Sequence, residues 1–289
     1  MKNISRRSAL GMFGAAALVP VTAAPPAHAR PAAPAASWEN VVEKTSFSSR
    51  TAFEAEWNYL YPWGDTHNGA AKMVSSQISL SGGILTLKAT RLAQPAGTSP
   101  HDPKAPLWYR SGAVHAKELI TVDDQFPAYS IEGEFRTQTG TGIWPAFWTT
   151  GTGDAWPPES DILEYVGDAT NLFNTWNRDG SDPGTDPDVE RTPISGHDPN
   201  AWHKYRIWIE RDGSTGDVLI DYYFDDVWKA THRGVGWVGV PQRLIINLQM
   251  GSWASGIEPG GPGWAQQPGP SGDTYFRARN VWFGRTRNW

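Results

Sequence analysis

Tyr205-Arg206-Ile207-Trp208-Ile209-Glu210 is the stretch that decides the fold. Tyr205, Ile207 and Ile209 alternate with Arg206, Trp208 and Glu210, and a period of two makes this a strand with one greasy face and one amphipathic face. Such a strand belongs to a sandwich, where one face meets a second sheet and the other meets water. Strand-like segments recur on both sides of it, at residues 77–80, 84–89, 111–117, 129–136, 143–149, 160–166, 202–210, 218–224, 243–248 and 274–283. Ser81-Gly82-Gly83 separates the first two and can supply the positive φ of a tight hairpin. Arg211-Asp212-Gly213 and Asp225-Asp226 close strands as turns do, and no repeat period points to a propeller or solenoid. The expected architecture is all-β, two packed antiparallel sheets. Two long segments, 94–106 and 178–200, fit no strand; each is either the wall of a binding cleft or a solvated loop.

The chain has no cysteine, so disulfides, thiolate metal sites and thiol nucleophiles are excluded and stability must come from a core. Sixteen Trp, with thirty Gly and twenty-three Pro, fit an all-β protein with many turns and aromatic surfaces. At the N-terminus Lys2, Arg6 and Arg7 precede an apolar run from Ala9 to about Val21, and the small-residue site Ala27-His28-Ala29 follows. This reads as an export signal over residues 1–29, of twin-arginine type from Ser5-Arg6-Arg7-Ser8, and too short to span a membrane. A Pro/Ala-rich disordered lead, 30–37, follows, and one domain occupies 38–289. Removing residues 1–29 takes away three basic and no acidic residues, so the formal net charge falls from −5 to −8. That argues against nucleic acid and anionic membranes as partners; a secreted monomer is expected.

The chemistry is concentrated in Trp156-Pro157-Pro158-Glu159-Ser160-Asp161-Ile162-Leu163-Glu164-Tyr165-Val166-Gly167. On a regular strand Glu159 and Asp161 share a face and Glu164 takes the other. A β-bulge near Ile162-Leu163 adds one residue and returns Glu164 to the first face. The outer pair could then stand at the separation of about 5 to 5.5 Å that retaining glycosidases use. Glu159 would attack the anomeric carbon and Glu164 would protonate the leaving oxygen, then activate water. Asp161 between them would hydrogen-bond the nucleophile and help keep the pair in different protonation states. The competing readings are a solvated acidic edge and a calcium ligand set. Upstream, Trp144, Ala146 and Trp148 share one face of Gly142-Ile143-Trp144-Pro145-Ala146-Phe147-Trp148, and two indoles on one face suit a sugar platform, with core packing the alternative for one of the two.

Trp144-Pro145-Ala146-Phe147-Trp148 followed by Glu159-x-Asp161-x-x-Glu164 closely resembles glycoside hydrolase family 16, and the resemblance runs from about Phe47 to Phe283. It implies a β-jelly-roll with a cleft across its concave sheet, Glu159 as nucleophile, Asp161 as its helper and Glu164 as acid/base. The extra residue in the acid motif is similar to that of laminarinases, agarases, porphyranases and carrageenases; lichenase-like and xyloglucan-modifying members usually lack it. Many β-1,3-glucanases of the family carry a His on the strand after the catalytic one, where this chain reads Asn174-Thr175-Trp176-Asn177. Asn174, Trp176 and Asn177 are therefore candidates for substrate contact, with structural turn asparagines as the alternative. Some members hold a structural calcium; Arg277-Ala278-Arg279-Asn280-Val281-Trp282 offers no clear ligand for one, so a structural calcium stays open without a motif to support it, and no cofactor is expected.

Arg110 is a further candidate for sugar hydroxyls, or an exposed strand-end arginine. His115 and His203 read as structural, and Gln249 reaches a hydroxyl only if its strand lines the cleft. The leading expectation is a secreted retaining endo-β-glycosidase acting on a β-1,3-glucan. A β-galactan of the agar or carrageenan kind is the alternative substrate. A non-catalytic carbohydrate-binding sandwich would keep the tryptophans without needing the paired acids.

Overall fold

The computed structural model describes residues 38–153, 155–177 and 188–288. The expected export segment, the lead and the first part of the 178–200 segment lie outside the described residues. In chain order the strands begin with β1 Trp38–Val42, β2 Trp57–Tyr59, β3 Ala71–Met73, β4 Ile78–Ser81, β5 Ile84–Arg91, β6 Tyr109–Ser111, β7 Ala113–Ala116 and β8 Ala128–Thr137. They continue with β9 Ile143–Gly151, β10 Glu159–Glu164, β11 Asn171–Asn177, β12 Asp188–Ile194, β13 His203–Arg211, β14 Val218–Phe224, β15 Val227–Gly234, β16 Gln242–Met250 and β17 Thr274–Thr286. A short helix, α1 Arg50–Glu56, starts where Ser49 Oγ accepts from the Ala52 N–H, an N-cap.

Two sheets result, as the alternation predicts. One runs β15-β14-β13-β8-β17-β5-β6-β3, with β1 on β17 and β4 on β5; the other runs β12-β11-β10-β9-β16-β7-β2. Pairing is antiparallel except for β3 with β6. This is the β-jelly-roll sandwich expected from the resemblance. Tyr205, Ile207 and Ile209 of β13 are buried and face the core beside Val218, Ile220 and Tyr222 of β14, while Arg206, Trp208 and Glu210 face outward. Phe147 of β9 enters the same core from the second sheet and meets Phe135 of β8 at 4.6 Å. Burial of this continuous cluster is the main stabilising term, since apolar area removed from water contributes about 25 cal/mol per Å².

The hairpins form where the turn chemistry allows them. Gly82 and Gly83, at φ 58° and 76°, join β4 to β5, and Asp225 and Asp226, at 49° and 62°, join β14 to β15. These are the two-residue left-handed turns that match strand twist, and Asp tolerates the region better than most residues. The segment 94–106 is a loop with a single bridge, Thr98 to Pro106. The segment 178–200 is not loop throughout: its later part holds β12, an edge strand paired along β11. Its sequence, with Asp188, Glu190, Arg191 and Pro193 mostly exposed, lacks an apolar face because an edge strand needs only backbone partners on one side.

Candidate active site

β9, β10 and β11 lie side by side, and their register orders the site. Glu159 pairs with Thr150 and Asp161 with Trp148; Leu163 then pairs with Phe147 and Glu164 with Ala146, so Ile162 is the extra residue. The bulge falls where the acid spacing predicts it. Ser160 points inward, within 2.6 Å of Tyr222 Oη in the facing sheet. Glu159, Asp161 and Glu164 all face the other way, into a cavity that they line with Trp144, Ala146 and Trp148. They are 2, 3 and 9% exposed, which rules out the reading of a solvated acidic edge.

Buried carboxylates need donors, and each acid has an indole N–H. Trp156 Nε1 donates to Glu159 Oε2 at 2.9 Å, Trp176 Nε1 to Asp161 Oδ2 at 3.3 Å, and Trp144 Nε1 to Glu164 Oε1 at 2.9 Å. Asn174 bridges two of them: Nδ2 donates to Asp161 Oδ2 at 2.9 Å and to Glu164 Oε2 at 2.8 Å. Its Oδ1 accepts from Arg191 Nε of β12 at 2.7 Å. A guanidinium only donates, so this contact fixes which end of the amide faces the acids. The end of β10 is tied down as well, the Glu164 N–H donating to Asn171 Oδ1 at 3.0 Å.

Behind β10 and β11 lies a polar core. Tyr222 Oη donates to Asn174 O at 2.8 Å, and Thr175 Oγ1 lies 2.8 Å from Tyr222 Oη and 3.1 Å from His232 Nδ1. Burial pushes the His232 imidazole below its ordinary value, against a smaller opposing pull from Glu190.

The expected sugar platform is arranged differently. Trp144 and Trp148 line the cavity but are buried: His67 stacks on Trp148 at 5.9 Å and 20°, and Trp253 meets Trp144 edge-on at 5.4 Å. Trp148 Nε1 donates to Asn247 Oδ1 at 2.7 Å. The open aromatic at this mouth is Trp63, 40% exposed and stacked on Tyr61 at 5.2 Å. Trp176 and Asn174 join the acids, whereas Asn177 fastens β11 to β15, donating to Arg233 O and accepting from the Val235 N–H. Arg110 is exposed on β6 of the other sheet and is not among the cavity residues. Gln249 does line the cavity, with Oε1 accepting from the Ala71 and Met250 N–H groups. His115 is held between Asn58 Nδ2 and Leu60 O, and His203 by Asp225, as structural histidines. The loop 94–106 does support the cleft wall: Ser99 Oγ donates to His67 O at 2.5 Å and His101 meets the His67 ring at 5.9 Å.

Tyr61, His67, Asn68 and Asn247 also line the cavity and carry no periodic signal in the sequence. Of these only Asn247 falls within an expected strand, 243–248, and β16 sets it opposite Ala146 of β9. Among the described residues no group of three or more His, Asp or Glu side chains is arranged to hold a metal ion, and no helix is long and apolar enough to cross a membrane.

The model of glycosyl hydrolases family 16 matches residues 119–277, from before β8 into β17 and across all three acids. The chain belongs to this family. It is 41% identical over 249 residues to the galactan endo-β-1,3-galactanase of Flammulina velutipes, covering 86% of this chain and 91% of that one. The endo-1,3-1,4-β-glycanase EglC of Rhizobium meliloti is 28% identical over 62% of this chain and 35% of its own length. Among solved structures, the endo-1,3-β-glucanase of Streptomyces sioyaensis superposes with a TM-score of 0.62 at 20% identity, over 90% of this chain and 100% of that one. Porphyranase B of Zobellia galactanivorans gives 0.61 at 16% identity, over 89% and 96%. The family 16 member described here is thus a glycoside hydrolase, an endo-β-glycanase with a polysaccharide substrate, and the reading as a non-catalytic binding sandwich falls away.

Proposed function

We propose that this family 16 enzyme is an exported, retaining endo-β-1,3-galactanase in which Glu159 is the nucleophile, Glu164 the acid and base, and Asp161 the helper of the nucleophile. The observation that carries the mechanism is the bulge at Ile162, which sets three buried carboxylates on one cavity wall. In the first step a Glu159 oxygen bonds to the anomeric carbon while the glycosidic C–O bond breaks, and Glu164 gives its proton to the leaving oxygen. Glu164, now ionised, takes a proton from water; the water oxygen bonds to the anomeric carbon and the ester to Glu159 breaks. Two inversions retain the β configuration. Asn174 and the three indoles hold the carboxylates in place, a preorganised set of donors that needs no rearrangement during the reaction.

A galactan takes precedence over the glucan first expected, because the galactanase relative shares 41% identity along nearly its whole length. The glucanase structures at about one-fifth identity speak to the fold alone. Export rests on Lys2, Arg6, Arg7 and the Ala27-His28-Ala29 site, and predicts a mature N-terminus at Arg30. The test is reducing-sugar release from β-1,3-galactan, laminarin, mixed-linkage glucan, agarose, porphyran and κ-carrageenan. Galactan should be cleaved to oligosaccharides whose reducing ends emerge as the β anomer. Release from laminarin alone would transfer the specificity to glucan and leave the mechanism standing. Glu159→Ala should lose many decades of rate, with azide restoring turnover to give an α-glycosyl azide; a variant that keeps most of its activity refutes the nucleophile assignment.

A further inference from the structure

One side chain in the cavity has a buried oxygen without a hydrogen-bond partner among the described residues. Asn68 is 4% exposed, lines the same cavity as the three acids, and its Oδ1 has no hydrogen-bond partner among the described residues. Buried side-chain oxygens are normally paired, and an orphaned one disfavours the folded state until a donor arrives. Other buried side-chain atoms without partners, such as Asn171 Nδ2 and Ser252 Oγ, are not among the residues lining this cavity.

The backbone that carries Asn68 is fixed on both sides. His67 O accepts from Ser99 Oγ at 2.5 Å, the Ala70 N–H donates to Met250 O at 2.6 Å, and Ala70 O accepts from the Tyr109 N–H at 3.0 Å. Gly69 passes so close to Gln249 that a Cβ there would lie 2.2 Å from its Cδ. Asn68 therefore sits on a tightly packed turn, with a positioned acceptor and no room for the turn to withdraw it. An acceptor of this kind suits a hydroxyl donor, and a polysaccharide brings hydroxyls into the cavity.

We propose that Asn68 is a specificity-determining residue whose Oδ1 accepts a hydrogen bond from one ring hydroxyl of the sugar unit lying against Glu159 and Glu164. In a β-1,3-linked chain O3 is taken by the linkage, so the donor is the hydroxyl at C2, C4 or C6. A site with a waiting acceptor rejects a sugar that lacks the matching hydroxyl more strongly than an apolar pocket rejects a misplaced one, because the acceptor is then left buried and unpaired. The proposal rests on this cavity being the active site.

The experiment compares wild type and Asn68→Ala on a β-1,3-galacto-oligosaccharide and its 2-, 4- and 6-monodeoxy forms at the cleaved unit. Wild type should lose about 10- to 100-fold in kcat/KM on one of the three, and Asn68→Ala should lose about that much on the parent sugar and nothing further on that deoxy sugar. The melting temperature of Asn68→Ala should stay within about 2 °C of wild type or rise, since no protein partner is lost. Penalties that remain fully additive for all three deoxy sugars would overturn the proposal, as would a substantial fall in melting temperature with unchanged kcat/KM. Should the variant fail to fold, wild type alone decides: equal rates on all three deoxy sugars refute it. An active Glu159→Ala enzyme would instead remove the catalytic assignment while leaving the deoxy-sugar result readable.

Discussion

Indole N–H groups meet carboxylates on both faces of the sandwich, in different surroundings. On the concave face Trp144 donates to Glu164 at 2.9 Å, and that glutamate is nearly out of water. On the outer face of the other sheet Trp208 donates to Glu210 at 2.7 Å, but Glu210 is partly exposed and the neighbouring Trp38, 5.2 Å from Trp208, is 40% exposed. The two bonds have the same chemistry and nearly the same length. What differs is the medium: at low dielectric a donor fixes charge and position, whereas beside water the solvent substitutes for it. The comparison teaches that burial, more than pairing, sets the proposed acid/base apart from a carboxylate at the surface.

The largest expected contrast is between the acids themselves. Glu164→Ala should reduce kcat on polysaccharide by about 100- to 10,000-fold while the protein stays folded, and Glu210→Ala should stay within about twofold. Steady-state kinetics with circular dichroism checks both, and equal losses would break the comparison. Next come the donors. Trp144→Phe should cost about 10- to 100-fold in kcat, since a hydrogen bond to a buried charge contributes about 1.5 to 3 kcal/mol, and Trp208→Phe should leave kcat unchanged. Arg191→Leu should cost less, about 3- to 10-fold, because it acts through the orientation of Asn174. Its defect should shrink on an aryl glycoside with a good leaving group, which needs little help from an acid; an equal defect on both substrates would make Arg191 merely structural.

The smallest effect is one of pH. Burial lowers the pKa of His232 behind β11, and also those of His101, His115 and His197. The folded state therefore binds fewer protons than the unfolded chain once pH drops below about 6.5, and stability falls as pH falls from there toward the folded values. At the β1 end of the same sheet as His232, Arg285 and Arg287 hold Glu39 down at about 2 by direct hydrogen bonds, so its contribution is lost only as pH falls from the ordinary carboxylate value toward about 2. Melting temperature should thus decline between pH 7 and 5, and His232→Gln should flatten part of that slope; a flat wild-type profile would contradict the reading.

Most of the sandwich was legible because its inner strands alternate: 218–224 is β14 to the residue, and β13 and β8 fall within one or two residues of expectation. The edge strands β12 and β15 were not, since Asp188–Ile194 and Val227–Gly234 are held by ladder bonds along one side and show no apolar face. In the site, the acids announced themselves by spacing, and Asn174 by standing where a histidine was expected. Asn68 and His67 could not be found that way. They belong to a turn whose position depends on Gln249, far away in sequence, and on the loop around Ser99. Arg110 shows the reverse: its side-chain chemistry suited sugar, and its strand carries it elsewhere.

The bulge at Ile162 has a consequence for chain length. With Ile162 removed, Glu159, Ser160, Asp161, Leu163 and Glu164 would follow one another in unbroken alternation, opposite Thr150, Thr149, Trp148, Phe147 and Ala146 as they are now. Elsewhere in the sheet a one-residue deletion inverts everything downstream of it. Here it would merely straighten the strand, at the loss of one buried isoleucine, and the three acids would keep their common wall. This is a point in the enzyme where the gene can gain or lose a codon without scrambling the site.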